Sequence, residues 1–413
     1  MTNMLKSATF ALLTTTFAVP ALAQDLTLWS WRQEDRAAYE TLIADFKAKN
    51  PDINIKFEAF EAASYATVLS TALAADQGPD LMMVRAYGAF ETVAGAGYLL
   101  PLGPEDVPGL AQMPADALKA ETLRADGKTY AVPFASQTML VIYNKDIYDQ
   151  LGLKVPETWD ELTANAKAIK DAGMFGFANG TATAWQNETI VSALTSSVIG
   201  RQFFDDVEAG KADFTDPRFV GGLQALKDIS AYFPDGFTGL DYPSSQQLIA
   251  SGMAGMFAGG SFELANIQSQ NPDIKLGVFA APGKTAEDEK LVGKFFDGGY
   301  GGNAKTKNPD AVKAFLAYTA TPEFGQKFAN ALGNFSPIPG VTLDNPLLQE
   351  VAALNEHAVP YIMLTNFRYQ EPSGSVLLQA EVQKMLAGEA TPEEAAKKVN
   401  EGIALYYEPF QKK

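Results

Sequence analysis

An α/β protein with a mostly parallel sheet covered on both faces is the fold class that this 413-residue sequence predicts. Strand-like and helix-like periodicities alternate along most of the chain, and its first five elements read βαβαβ, an order that places helices on both sides of parallel strands. At 47% hydrophobic and 20% charged residues the composition is that of an ordinary globular protein. With no cysteine, the fold must rest on its apolar core alone.

The first expected strand, from Leu26, ends in Trp29-Ser30-Trp31-Arg32-Gln33. Tyr39, Leu42, Ile43 and Phe46 then repeat at helical spacing until Asn50-Pro51 stops the helix. Ile53, Ile55, Phe57 and Ala59 alternate as in a half-buried strand; Val68, Leu69, Ala72 and Leu73 mark the second helix; Leu81 to Val84 forms a short apolar strand. Asp126-Gly127 predicts a turn, Tyr130 to Phe134 an extended run containing a proline, and Thr138 to Tyr143 a separate, strongly apolar strand. Thr158 to Glu161 and Thr391 to Glu394 carry the capping-box pattern that opens helices. Strands are expected at Ala254 to Ala258 and Ile274 to Phe279, and helices around Val312 to Thr319 and Leu347 to Asn355. Gly259-Gly260-Ser261 and Asp297-Gly298-Gly299-Tyr300-Gly301-Gly302 predict tight turns or close backbone approach. No repeat or low-complexity linker interrupts the chain, so two lobes would be joined by short crossings.

Residues 1–23 have the pattern of a cleaved secretory leader: Lys6, the apolar stretch Ala8 to Val19, and the small-residue site Ala21-Leu22-Ala23. That stretch is shorter than the roughly 20 residues a bilayer span requires. With no cysteine after the cleavage site there is no lipid anchor, and a periplasmic protein is expected. The rest of the chain suffices for two or three domains. A formal charge of −17 argues against nucleic acid or an anionic membrane as partner.

Catalytic patterns are scarce. Without cysteine there is no thiol nucleophile or thiolate metal site. The single histidine, His357, cannot build a multi-histidine metal centre, and no Gly-x-Ser-x-Gly elbow accompanies it. The 49 carboxylates leave a glycosidase-type acid and base pair open by count, though none is marked out. The glycine-rich stretches lack the Lys-Ser/Thr that closes a phosphate loop. No metal or cofactor is expected.

What stands at the expected strand ends is aromatic and planar-polar: Trp29, Ser30, Trp31, Arg32, Tyr65, Arg85, Tyr87, Ser136, Gln137, Trp185, Gln186, Asn187, Phe262, Glu263, Asp297, Tyr300, Arg368 and Tyr369. Sugars offer C–H faces that pack on indole and phenol rings, and hydroxyl edges that pair with carboxylates, amides and guanidinium groups. A single Tyr or Phe is better explained as core, Trp31 and Trp185 better as ligand contacts, and Trp29, Arg32 and Arg85 are balanced between site and structure. Only seven arginines occur, and Arg32, Arg85 and Arg368 fall where a cleft is expected. Guanidinium suits bidentate recognition, so the ligand is either anionic, carrying a carboxylate or sulfonate, or read along paired hydroxyls.

The chain resembles the family 1 extracellular solute-binding proteins, the maltose-binding-protein-like receptors of ABC sugar importers. The resemblance is carried, in order, by Leu28-Trp29-Ser30 with Asn50-Pro51, Gly78-Pro79-Asp80-Leu81, Gly127-Lys128-Thr129-Tyr130-Ala131-Val132-Pro133, Val141-Ile142-Tyr143-Asn144-Lys145-Asp146, Pro156-Glu157-Thr158-Trp159-Asp160-Glu161-Leu162, Met256 to Phe262, and Gly298-Gly299-Tyr300-Gly301. It implies a periplasmic-binding-protein-like fold: two α/β lobes with mixed sheets around a multi-segment hinge of type II. The lobes would be 24–133 plus 292–342, and 134–291 plus 343–413. It implies binding without turnover: a monomer that closes on a mono- or oligosaccharide and delivers it to permease subunits in the inner membrane. The substrate-binding residues would be Ser30, Trp31, Arg32, Tyr65, Arg85, Tyr87, Gln137, Trp185, Asn187, Phe262, Asp297, Gly299, Tyr300 and Arg368. Phe262 and Tyr300 stand where many relatives carry tryptophan. A receptor for a polyol or another small solute is the alternative, with an exported carbohydrate-active enzyme further off; a polyamine would require an acidic cage free of these arginines.

Overall fold

The computed structural model describes residues 23–363 and 365–411. The expected leader therefore lies, except for Ala23, outside the described residues. Nine strands form one continuous sheet: β1 (Gln24–Ser30), β2 (Ile53–Ala59), β3 (Leu81–Arg85), β4 (Ala131–Asn144), β5 (Phe175–Phe177), β6 (Ala254–Gly260), β7 (Leu276–Phe279), β8 (Val292–Gly302) and β9 (Ala358–Pro360). The order along the sheet is β2-β1-β3-β8-β4-β6-β5, with β7 paired to β4 and β9 to β8.

The expected parallel start is present, since β1 pairs in parallel with both β2 and β3. The sheet as a whole is mixed. Strand β8 runs antiparallel to β3 and β4, and β4 antiparallel to β6 and β7. Three local expectations also change. The proline-bearing run and the apolar strand after it are one 14-residue strand, β4. Pro133 has no N–H to give to the ladder, and the register against β8 slips on both sides of Ala135. The glycine-rich stretches are strand, not turn: Gly259 and Gly260 end β6, and Gly298 to Gly302 belong to β8. At Thr158 the capping box is half made. Thr158 accepts from the Glu161 N–H, but the Glu161 carboxylate turns to the Glu157 N–H, 2.7 Å away. At Thr391 both arms are present.

Strand β4 shows how one sheet serves three cores. Its first half, Ala131, Val132, Phe134 and Ala135, packs with Leu28, Phe46, Phe90, Tyr300 and Phe315. In its second half the side chains alternate between two faces, as strand geometry requires. Met139 and Val141 enter a core with Ile190, Phe203, Met256 and Ile403; Leu140 and Ile142 enter another with Phe257, Leu276 and Val351. Each such large apolar side chain contributes about 1.5–3 kcal/mol when fully buried, so cores on both sides hold the strand in place. Strand β8 passes the same way from Val292 to Tyr300, with Phe296 midway in a small cluster beside Tyr87, Ala117 and Ala120. The chain returns near Phe335, whose carbonyl accepts the Ser136 N–H at 2.8 Å. Two α/β lobes thus meet along strands that both share.

Candidate functional site

The end of β1 builds the first wall. Ser30 is fully buried, and its Oγ accepts the Arg32 N–H at 2.9 Å, turning the chain out of the sheet. That turn carries Arg32 to Asp35, which it grips through Nε and, at 3.3 Å, through Nη2. Glu34 lies 3.5 Å from the same guanidinium. Beside it, Arg85 at the end of β3 donates to Asp297 of β8 at 2.8 Å, and its guanidinium sits 3.9 Å above the Trp31 ring. A cation over an indole is favourable because the ring face is electron-rich.

The second wall is aromatic and acidic. Trp185, at the start of helix Ala184–Ile199, is 38% exposed and meets Tyr242 edge-on at 4.7 Å and Phe262 at 6.0 Å. Beneath these rings the Glu263 carboxylate is buried, and both internal donors fall on one of its oxygens: the Tyr242 hydroxyl at 2.9 Å and Gln246 Nε2 at 2.6 Å, each to Oε2. Burial pushes the Glu263 carboxyl up to about 7, against the pull of those two donors and of Arg32; Glu34 adds to the rise. Arg32 and Glu34, at the end of β1, thus act on the Glu263 carboxyl through their charge.

Arg368 completes the arginine trio. It pairs with Glu188, donates through Nε to the Met363 carbonyl at 2.8 Å, and stacks over Phe295 at 4.8 Å and Tyr361 at 5.0 Å. Glu188 has only 2% of its side chain exposed, and Gln379 supplies it a second donor at 3.1 Å.

Several residues singled out by sequence prove to be engaged inside the protein. Tyr300 is fully buried in the first core, its hydroxyl 2.6 Å from that of Tyr39. Tyr65 is buried, its hydroxyl 2.8 Å from the Met83 carbonyl and 3.2 Å from that of Trp29. Trp31 is buried between Tyr65 and Phe134 under the Arg85 cation, while Trp29 is partly buried against the same core and packs on Phe60. Gln137 accepts from Ser261 Oγ at 3.3 Å, and Ser136 is buried beside it. Asn187 is tied by Nδ2 to the Thr181 and Gln379 carbonyls and to Gln383, and neighbouring Gln186 is also buried. At Gly299 a side chain would crowd Ala131 and the buried carboxyl of Glu121. Tyr87 is buried against Phe295 with a left-handed φ of 62°. Tyr369 lies under the Arg124 guanidinium. The residues that line the walls together are Arg32, Arg85 and Asp297 on one side and Trp185, Phe262 and Glu263 on the other.

Tyr242, Gln246, Glu34 and Asp35 escaped the sequence reading. Tyr242 follows Asp241, which caps its helix by accepting the Ser244 N–H at 3.0 Å. The Asp-Tyr-Pro pattern at 241–243 was a legible helix start. Nothing in the sequence says that this start faces Trp185.

Two α/β lobes exchanging strands around an aromatic and ion-paired cleft define a hinged ligand-binding protein. The model of the bacterial extracellular solute-binding proteins matches residues 29–326, and the chain belongs to that family. Members of the family are binding proteins rather than enzymes. A multiple sugar-binding protein of Streptococcus mutans is 27% identical over 346 residues, 79% of either chain. A mannitol-binding protein of Pseudomonas aeruginosa is 25% identical over 339 residues, 78% of this chain and 76% of that one. Among solved structures, a chitin oligosaccharide binding protein superposes with a TM-score of 0.77 at 23% identity, covering 93% of this chain and 98% of the other. Among the described residues no helix is long and apolar enough to cross a membrane, and no cluster of potential metal ligands occurs.

Proposed function

We propose that this chain is the periplasmic substrate-binding component of an ABC importer, which captures a carbohydrate by closing its lobes and presents it to permease subunits. The observation that carries the reading is the make-up of the two candidate walls. A half-exposed indole with a phenol and a buried carboxylate stands on one, and two ion-paired guanidinium groups, Arg32 and Arg85, on the other. Rings that pack on C–H faces, beside acceptors that take hydroxyl protons, suit a sugar. The lobes would be 24–133 with 292–342, and 134–291 with 343–413, and the working form a monomer. The secretory pattern at 1–23 and membership of an extracellular family support the periplasmic location. The family, and the lack of any marked acid and base pair, support binding without turnover.

A polyol receptor is the second reading, favoured by the likeness to a mannitol-binding protein. A thermal-shift screen of mono- and oligosaccharides against polyols separates the two, because a ligand at about 100 times its Kd adds about 2.7 kcal/mol of stability. Incubation that yields new reducing ends would overturn the binding-only reading.

A further inference from the structure

We infer that the cleft takes an uncharged, hydroxyl-rich ligand and rejects carboxylated or sulfonated sugars, because its two wall arginines, and Arg368 beyond them, are already neutralised by carboxylates of the protein itself. The inference rests on the carbohydrate reading above and names the charge class within it. By type alone, Arg32, Arg85 and Arg368 advertise an anion site. Their partners remove that role. Arg32 is forked onto Asp35 with Glu34 alongside, Arg85 donates to Asp297, and Arg368 to Glu188.

Burial decides whether a ligand anion can displace these partners. Asp35 has 7% of its side chain exposed and Glu188 2%. Pulling either arginine toward a ligand would strand a carboxylate away from water, the costly half of breaking a buried pair. Arg85 and Asp297 are more exposed, at 39% and 15%, but Arg85 is also held down on the Trp31 ring. Glu263 adds a further acid on the opposite wall whose internal partners, Tyr242 and Gln246, are both neutral. On the walls two guanidinium groups therefore meet four carboxylates: Glu34, Asp35, Glu263 and Asp297. Even with Glu263 protonated the balance is acidic. An arriving anion would meet like charge and find no unpaired arginine in the trio, whereas a hydroxyl can donate to the more exposed carboxylates, Glu34 and Asp297, and accept from the outer N–H groups of the arginines.

The test is calorimetric titration of the full-length mature protein with matched pairs: glucose with glucuronate, galactose with galacturonate, and neutral di- and trisaccharides with their uronate-terminated forms. For any pair in which the neutral member binds, its acidic counterpart should bind at least about 100-fold more weakly, the scale of several kcal/mol for like charges brought together. In Asp297→Asn, which leaves Arg85 without its carboxylate, the gap should narrow about 10-fold or more. A uronate that binds as tightly as its neutral partner, or a gap unchanged in Asp297→Asn, overturns the inference while leaving the carbohydrate reading standing. If no sugar of either charge binds, the carbohydrate reading falls and this inference with it.

Discussion

Trp185 and Glu263 lie side by side on one wall, yet they answer to different physics. Trp185 keeps 38% of its surface exposed and leans on two rings, so its packing holds little of the fold together. Trp185→Ala should leave the unfolding midpoint within about a degree while weakening sugar binding by about 1–3 kcal/mol, the range for losing an aromatic anchor. Calorimetry beside a thermal melt checks both halves. Glu263 acts through protonation. Its carboxyl is lifted from its ordinary 4.5 to about 7, chiefly by burial, so the folded chain holds a proton that the unfolded chain releases between those values. The stabilising proton is fully present below pH 4.5 and lost as pH rises toward 7. Stability should therefore decline across that window by up to about 1.4 kcal/mol per pH unit and level off above it. Glu121, buried with neither carboxyl oxygen partnered, slopes the same way, its carboxyl raised by burial and by Asp297. The informative quantity is thus the difference between the parent and Glu263→Gln in urea unfolding from pH 4.5 to 8, and an unchanged slope would show that Glu263 is not the group that titrates.

Strand β8 is the element on which lobes and cleft both depend, and the sequence conceals it. Glycine is depleted in strands, so Asp297 to Gly302 reads as a turn or a close approach of backbone and not as strand. Its glycines are there for close approach. A Cβ on Gly298 would collide with the Val84 carbonyl and press on Trp31 and Phe134, and one on Gly302 would meet Val312 at 2.6 Å. Backbone this near cannot yield as a flexible side chain can. Gly298→Ala should accordingly cost about 2–4 kcal/mol, in the range of overpacked cores and strained backbone, while Gly301→Ala, whose Cβ would press on the Leu99 side chain at 3.0 Å and meet the Tyr130 carbonyl at an ordinary 3.6 Å, should cost markedly less. Denaturant midpoints of the two variants give the comparison, and equal losses would show that backbone approach is not what fixes these glycines. The elements that were legible carried their own signals: Leu26 and Leu28 of β1, the 3.6-residue spacing of Tyr39 to Phe46, the complete box at Thr391. The half-made box at Thr158 failed because the Glu161 carboxylate found the Glu157 N–H instead.

At the scale of the molecule, the alternation of strands and helices made an α/β chain legible, but not which side chains would meet across it. Arg32 and Glu263 come from segments more than 200 residues apart, and no local pattern records their facing. The same holds for the contacts by which the lobes touch outside the cleft. The backbone at Arg368 presses on Gly88, where any side chain would collide with its carbonyl. Next along the chain, the Tyr369 ring sits 3.6 Å beneath the Arg124 guanidinium, which Glu91 holds by two bonds of 2.7 and 2.8 Å. On the proposed lobe bounds these contacts join one lobe to the other, and a contact that parts on opening favours the closed state. Tyr369→Ala removes one of them without touching the ligand walls. An exposed cation–π contact is worth about 0.5–1 kcal/mol, so affinity should fall about 2- to 5-fold, through faster release. Stopped-flow release rates, with small-angle scattering of the free and sugar-loaded protein, read this directly. Unaltered release, or a radius that fails to shrink when sugar is bound, would show that closure does not run through this contact.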